Sequence, residues 1–199
     1  MKIAVDIDDT LNVVDRVRYA SEYIRRNALP FRLVNADADK LSEAFDWGHE
    51  DVVRFIREGG GITAFTDAPA RKNAAAVLAE WRAAGHEITV LTSRPAVFFG
   101  NPEKLSRDWL EKRHIPYDVL VAACENKAEY CVQHGIEILI DNNLGHCLAA
   151  QESGVYAVLF VGRSNVKDAA RVRYGGATWR QVEAVVRHIF CLANCRASL

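Results

Sequence analysis

Residues 2–12 read KIAVDIDDTLN, an apolar run that ends in three aspartates, Asp6, Asp8 and Asp9. Alternate residues of an extended segment share a side, so Asp6 and Asp8 project together. Two carboxylates held close repel unless a cation bridges them or one keeps its proton. A further acid, Asp141, closes another apolar run, IEILID. Ligands of an open parallel sheet bind outside the carboxyl ends of its strands. Asp6, Asp8 and Asp141 converging at that edge would make a hard-cation site of the magnesium type. The run ITVLTSR ends on two hydroxyls, Thr92 and Ser93. These can donate to a phosphate oxygen, as can the amides of the loop that follows. Lys127 lies just inside a helix start, after Glu125 and Asn126, where it can anchor an anion. Each residue alone has an ordinary role, because Asp ends strands and caps helices, and a Lys in a first turn is usually solvated. The combination is what points to phosphate chemistry.

Such a set needs a scaffold that brings distant segments to one edge. Five short aliphatic runs read as buried strands: Lys2–Ile7, Glu87–Leu91, Asp118–Ala122, Glu137–Ile140 and Val155–Val161. Helical patterns lie between them. Ala70–Ala84 stops at Gly85, Asn126–His134 at Gly135 and Asn143–Ser153 at Gly154, each a helix-ending signal. Pro102–His114 follows Asn101, a cap with proline at the first helical position. Trp179–Leu192 has a further amphipathic pattern. Strand and helix in alternation predict a Rossmann-like α/β fold, a parallel sheet flanked by helices.

The segment from Val13 to about Phe65 breaks this alternation. It carries helical patterns at Val13–Asn27 and Glu50–Glu58, irregular pieces at Asn35–Lys40 and Phe45–Trp47, and three glycines, Gly59–Gly61. A crossover needs only about a dozen residues. The surplus predicts a small helical cap inserted after the first strand, over the carboxyl edge of the sheet. The expected division is a core of residues 1–12 and 66–199 with a cap of residues 13–65. Gly59–Gly61 read as a flexible return to the core or a helix C-cap. Gly162–Gly176, polar and basic, reads as a surface loop with a little helix.

The totals narrow the function classes. The chain has 199 residues, half of them hydrophobic, and a formal net charge of −1, which suits one domain with a modest insert. That balance offers no footprint for a nucleic-acid polymer. No apolar run is long enough for a membrane span, and the start of the chain lacks the pattern of a signal peptide. A cytoplasmic location is expected. Five cysteines without a CxxC pair read as small core residues of a reduced protein. Cys191 and Cys195 could share a helix face near His188 and hold a metal.

Taken in chain order, DIDDT, LTSR, Lys127 and Asp141 resemble the four motifs of the haloacid dehalogenase (HAD) superfamily of phosphohydrolases, over almost the whole chain outside the insert. AVLAEWRAAGHEITVLTSRP, DWLEKRHIPYDVL and ILIDNNLGHCLAAQESGVYAVLF resemble its 5′(3′)-deoxyribonucleotidase-like branch. That branch carries a helical cap after the first motif and removes phosphate from nucleoside monophosphates. The sequence departs from the pattern where Asp9 replaces a usual Gly, and where Asn142, Asn143 and Gly145 stand at positions that often hold acids.

The resemblance implies roles. Asp6 would be the nucleophile that forms an aspartyl-phosphate, and Asp8 the general acid and base. Mg2+ would be held by Asp6, by the backbone carbonyl of Asp8 and by Asp141. Thr92, Ser93 and Lys127 would hold phosphate oxygens. Asp9, whose side chain should point the other way, has no catalytic role in this reading and is a turn-stabilising or capping acid. Arg94 could reach a phosphate or sugar, or be a solvated loop residue. Phe31, Phe45 and Trp47 could stack on a base or simply pack the cap. His49, His114 and His146 show no pairing pattern and read as surface or capping residues. The expected function is that of a magnesium-dependent phosphomonoesterase acting on a small phosphorylated metabolite, of the 5′-nucleotidase kind. The alternatives are a HAD phosphatase of sugar phosphates or other metabolites, and a non-catalytic binding or regulatory protein on the same fold.

Overall fold

A computed structural model describes residues 1–36, 38, 41–58 and 60–197. Its elements run β1 (Lys2–Val5), α1 (Arg16–Arg26), α2 (Leu41–Ala44), α3 (His49–Arg57), α4 (Gly60–Thr66), α5 (Ala74–Ala83), β2 (Glu87–Leu91), α6 (Ala96–Phe99), α7 (Pro102–Lys112), β3 (Val119–Val121), α8 (Lys127–Gln133), β4 (Ile138–Asp141), α9 (Leu144–Glu152), β5 (Tyr156–Phe160), β6 (Tyr174–Gly176) and α10 (Trp179–Ala197), with a 3₁₀ turn at Val166–Arg171 before β6.

The six strands form one parallel sheet in the order β3-β2-β1-β4-β5-β6. The protein is therefore an α/β, Rossmann-like fold. Because both faces are covered, the strands are mostly apolar. Ile3, Val5, Ile88, Val90, Ile138, Ile140, Val158 and Phe160 face a layer containing Val77, Trp81, Trp109, Trp179 and Val186 of α5, α7 and α10. Ala4, Leu91, Leu139, Ala157 and Leu159 face Ala128, Cys131, Cys147 and Ala150 of α8 and α9. Asn126 caps α8 by accepting from the Glu129 N–H, and Asn143 caps α9 by accepting from the His146 N–H. Both helices thus begin at the carboxyl edge of the sheet.

After β1 the chain builds β2 and β3 on one side, then crosses to β4 on the other. The switch point lies between β1 and β4, paired with Val5 against Ile140. The next residues, Asp6 and Asp141, lie at the crevice that such a switch opens.

Helices α1 to α4 lie between β1 and α5; α1 to α3 share an apolar cluster in which Tyr23, Phe45, Trp47 and Phe55 are buried, and Ala64 of α4 packs with Val14 and Ala68. The two segments that join them to the sheet run side by side: Val13 N–H donates to Pro69 O (3.0 Å), and Arg71 N–H to Leu11 O (2.8 Å). Buried tryptophans pin this neck and the loop after β1. Trp109 Nε1 donates to Ala68 O (2.8 Å), and Trp179 Nε1 to Thr10 O (3.1 Å), which satisfies each indole.

Three details differ from the sequence-based expectations. Gly60 and Gly61 open α4 instead of forming a linker; Gly59 lies outside the described residues, as do positions 37, 39 and 40 of the segment expected to be irregular. The reason is close packing, since a Cβ on Gly61 would stand 2.8 Å from Ile56 Cα. Gly162–Gly176 contains the sixth strand as well as the 3₁₀ turn. There Gly176 lets the backbone approach α10, where a Cβ would meet Val182 N at 3.0 Å. Cys191 and Cys195 are exposed free thiols. Among the described residues no helix is long and apolar enough to cross a membrane.

Asp118, just before β3, ties that edge strand to the sheet. Its carboxylate accepts from Ile88 N–H (2.8 Å) and from Nε and Nη2 of Arg82 (2.9 and 2.7 Å). Burial pushes the acid up, but Arg82 and the Ile88 amide outweigh it and hold Asp118 below its ordinary value. Such a group stabilises fully above its unfolded value, about 3.9, and loses the contribution as pH falls through the lower folded value. Asp118→Asn is expected to cost about 1–3 kcal/mol in urea unfolding at pH 7. The gap to wild type should shrink below about pH 4; a gap that persists there would contradict this role.

Candidate active site

Asp6 follows β1 and keeps strand pairing, with its N–H donating to Ile140 O (3.0 Å). The chain then turns sharply, and Thr10, Leu11 and Asn12 N–H groups all point to Ile7 O. Asp9 takes a left-handed conformation there, with φ 60°, which Asp tolerates better than most non-glycine residues. It earns that position by bonding. Its carboxylate accepts from Val14 N–H (3.0 Å) and pairs with Arg16 of α1, and its carbonyl accepts from Arg71 Nε and Nη2 (3.2 and 2.9 Å). Thr10 is fully buried, and its hydroxyl accepts from Asn142 N–H (3.1 Å), binding the loop after β1 to the loop after β4.

Asp6, Asp8, Thr92, Ser93, Lys127 and Asp141 all line one cavity of about 520 Å³ at the switch point. Lys127, only 2% exposed at the start of α8, reaches Asp6 Oδ1 (2.6 Å) and Asp141 Oδ2 (2.7 Å). Asp141 also accepts from Asn143 N–H (2.8 Å) and from His146 Nδ1 (3.0 Å). Since an ionised carboxylate only accepts, His146 carries its proton on Nδ1. His146 is therefore a partner of Asp141, not a surface or capping residue.

The buried acids differ. Burial raises Asp6 most; Lys127 opposes it, while Asp141 and Asp8 add to it, and the carboxyl is pushed up to about 7. Burial also acts on Asp141, but Lys127 and His146 overcome it and hold this acid below its ordinary value. Lys127, despite its burial, is raised by Asp6 and Asp141 and stays an ammonium.

Asp8 is gripped from outside. Arg94 Nε and Nη2 donate to its two oxygens (2.8 and 2.7 Å), Arg94 Nη1 donates to Ser106 Oγ (3.1 Å), and Asn12 Nδ2 adds a bond to Asp8 (3.0 Å). Arg94 lines the cavity but is 3% exposed, so it is not a solvated loop residue. Its fork is occupied by Asp8, which leaves it no open face like that of a free phosphate clamp. Phe45 and Trp47 lie elsewhere. They stack on each other (5.2 Å between centroids) inside the cluster of α1 to α3, and neither lines the cavity. Phe31 meets Trp47 edge-on in the same cluster (6.0 Å).

Oxygen donors suited to magnesium are in place. The Asp8 carbonyl accepts no hydrogen bond among the described residues. The Asp6 and Asp141 carboxylates lie within reach of one ammonium. Among the described residues no three His, Cys, Asp or Glu side chains group closely enough to hold a metal by themselves, so a metal here would draw on the Asp8 carbonyl as well. Charge favours the fit too: Asp6, Asp8 and Asp141 face Lys127 and Arg94, which leaves one negative charge over. Thr92 Oγ1 has no hydrogen bond among the described residues, and Ser93 Oγ is buried without a partner. Both are open to an incoming acceptor.

One contributor carried no sequence signal. Asn165, buried after β5, accepts from Gly162 N–H (2.8 Å) and donates from Nδ2 to Asn142 O (2.7 Å) and Phe160 O (3.0 Å). It ties the loop after β5 to that after β4. Asn165→Ala leaves those backbone groups unpaired and is expected to cost about 2–4 kcal/mol in urea unfolding; a change within about 0.5 kcal/mol, as for an ordinary surface site, would show that the tether is dispensable.

The sequence matches no family model and no curated protein. The fold does have solved relatives. It is similar to a haloacid dehalogenase-like family hydrolase from Streptococcus pneumoniae, with a TM-score of 0.65, 14% identity, and 94% of this chain and 97% of the other covered. It is also similar to a predicted phosphatase from Clostridium acetobutylicum, with a TM-score of 0.69, 13% identity and coverage of 94% and 98%. CbbY from Rhodobacter sphaeroides, in complex with xylulose 1,5-bisphosphate, aligns with a TM-score of 0.55, 18% identity and coverage of 89% and 93%. At these identities the likeness is one of fold: the chain has the architecture of HAD-superfamily hydrolases.

Proposed function

We propose that the protein is a HAD-type, magnesium-dependent phosphomonoesterase acting on a small phosphorylated metabolite. The observation that carries this reading is the meeting of Asp6, Asp8, Thr92, Ser93, Lys127 and Asp141 around one cavity at the sheet's switch point. Asp6 Oδ attacks phosphorus and the ester P–O bond breaks. The departing oxygen takes its electron pair and receives a proton from Asp8, leaving an aspartyl-phosphate on Asp6. Water then attacks that phosphorus and gives its proton to Asp8, and the bond to Asp6 breaks to release inorganic phosphate. Because Arg94 occupies both Asp8 oxygens, the acid step requires Asp8 to loosen one of those bonds. Thr92, Ser93 and Lys127 hold the phosphoryl oxygens in place. Asp6, the Asp8 carbonyl and Asp141 are the groups that would hold magnesium. When bound, the ion would offset the charge of the phosphate dianion against these carboxylates.

Two substrate classes remain in view. The nucleoside monophosphate rests on the resemblance of the core segments. Its proposed stacking residues, Phe45 and Trp47, are packed inside the insert. A sugar phosphate draws support from the sugar bisphosphate bound by CbbY. Comparing kcat/KM across a panel of both decides between them, and a tenfold preference corresponds to about 1.4 kcal/mol.

Asp6→Asn is expected to lower phosphate release from para-nitrophenyl phosphate by about 10³-fold or more; near-normal turnover would remove Asp6 from the nucleophile's role. EDTA is expected to stop wild-type turnover and added Mg2+ to restore it, whereas turnover that EDTA leaves unchanged would argue against a metal at this site. Phosphate binding by a wild-type protein that turns over no ester even with Mg2+ would favour the binding-protein alternative.

A further inference from the structure

A second cavity opens beside the first. It measures about 440 Å³ and lies among α2, α3 and α4, with apolar walls from Val52, Phe55, Ile56, Ala64 and Phe65. That volume is within the range of small-molecule sites. It is a surprising gap in the insert, because Gly60 and Gly61 let α4 pack closely on α3 at one end. Arg16, Ser42 and His49 add polar groups at its edge, but the exposed lining is mostly apolar, and such walls hold water poorly, so it suits a largely apolar occupant. Arg16 and Phe65 line both this chamber and the catalytic cavity. The Arg16 guanidinium stands over the Phe65 ring (5.2 Å) and is paired with Asp9 of the loop that carries Asp6. Phe65 in turn meets Phe99 edge-on (5.2 Å) beside the core. Arg16 and Phe65 thus form the shared boundary of the chamber and the site that holds Asp6.

We propose that this chamber receives the organic part of the phosphoester and selects a flat, largely apolar ring over a small polyol. The inference rests on the phosphomonoesterase reading and adds the substrate class to it. The ring would lie against Phe55, Phe65 and Ile56 while its phosphate reaches Asp6. Selectivity then comes from these residues of α3 and α4, and Asp9 helps to align chamber and nucleophile through Arg16.

The test compares 2-(1-naphthyl)ethyl phosphate with ethyl phosphate, whose leaving alkoxides are close in basicity, so the ratio of kcat/KM reports recognition of the ring. A ratio of at least ten is expected for the full-length wild type, falling at least tenfold in Val52→Trp, which fills the chamber. Turnover of both esters at a ratio near one, or a ratio unmoved in folded Val52→Trp, overturns the chamber and leaves the phosphatase reading intact. If neither ester is turned over, calorimetry with 2-(1-naphthyl)ethanol separates the two ideas. Saturable binding that Val52→Trp abolishes keeps the chamber while the phosphatase reading falls, and absence of binding removes both. If Val52→Trp does not fold, the wild-type ratio decides alone.

Discussion

Three carboxylates drawn to one buried edge cannot remain there without positive charge, and much of the surrounding architecture serves that need. Asp6 and Asp141 are almost fully enclosed, where an ionised carboxylate is costly unless paired and hydrogen-bonded. Lys127 answers both from the first turn of α8, His146 adds a donor to Asp141, and Arg94 holds Asp8 from β2's loop. Each of these three side chains follows a different strand. The site therefore exists only when the sheet is assembled in its observed order, with β1 and β4 side by side. Compensation is uneven: Asp141 is held below its ordinary value, while burial, with Asp141 and Asp8 adding to it, raises Asp6. That imbalance is the physical ground for placing a hard cation beside this acid.

The second dependency is mechanical. The loop after β1 must hold a left-handed residue, bring Asp8 round and also connect to the helices of the insert. Asp9 does this where a glycine would only bend. It bonds Val14 N–H and Arg16 on the insert side and accepts from Arg71 on the core side. Thr10 and Asn165 stitch the loops after β1, β4 and β5 to one another. Asp9 is thus a link between the edge that holds Asp6 and the helices of the insert.

Strands β1 to β5 and helices α1, α3, α5 and α7 to α10 were legible because apolar runs, helical periodicity and capping residues report local geometry directly. Asp6, Asp8, Thr92 and Asp141 were legible because they end apolar runs at the same edge, and Lys127 because it opens a capped helix. Strand β6 was not, since two of its three residues are glycines selected for close approach to β5 and α10. Arg94 and His146 gave no sign of their partners, because pairing with Asp8 and Asp141 is a product of tertiary placement. Aromatic type alone did not distinguish Phe45 and Trp47, which pack one another, from Phe65, which faces the cavity.

Anomalous diffraction from crystals grown with Mn2+ in place of Mg2+ probes the charge argument most directly. A peak within oxygen-ligand distance of Asp6, Asp141 and the Asp8 carbonyl is expected, with Lys127 drawn off one of its two carboxylates. Full density for Lys127 between Asp6 and Asp141, with no metal peak at saturating Mn2+, would contradict it.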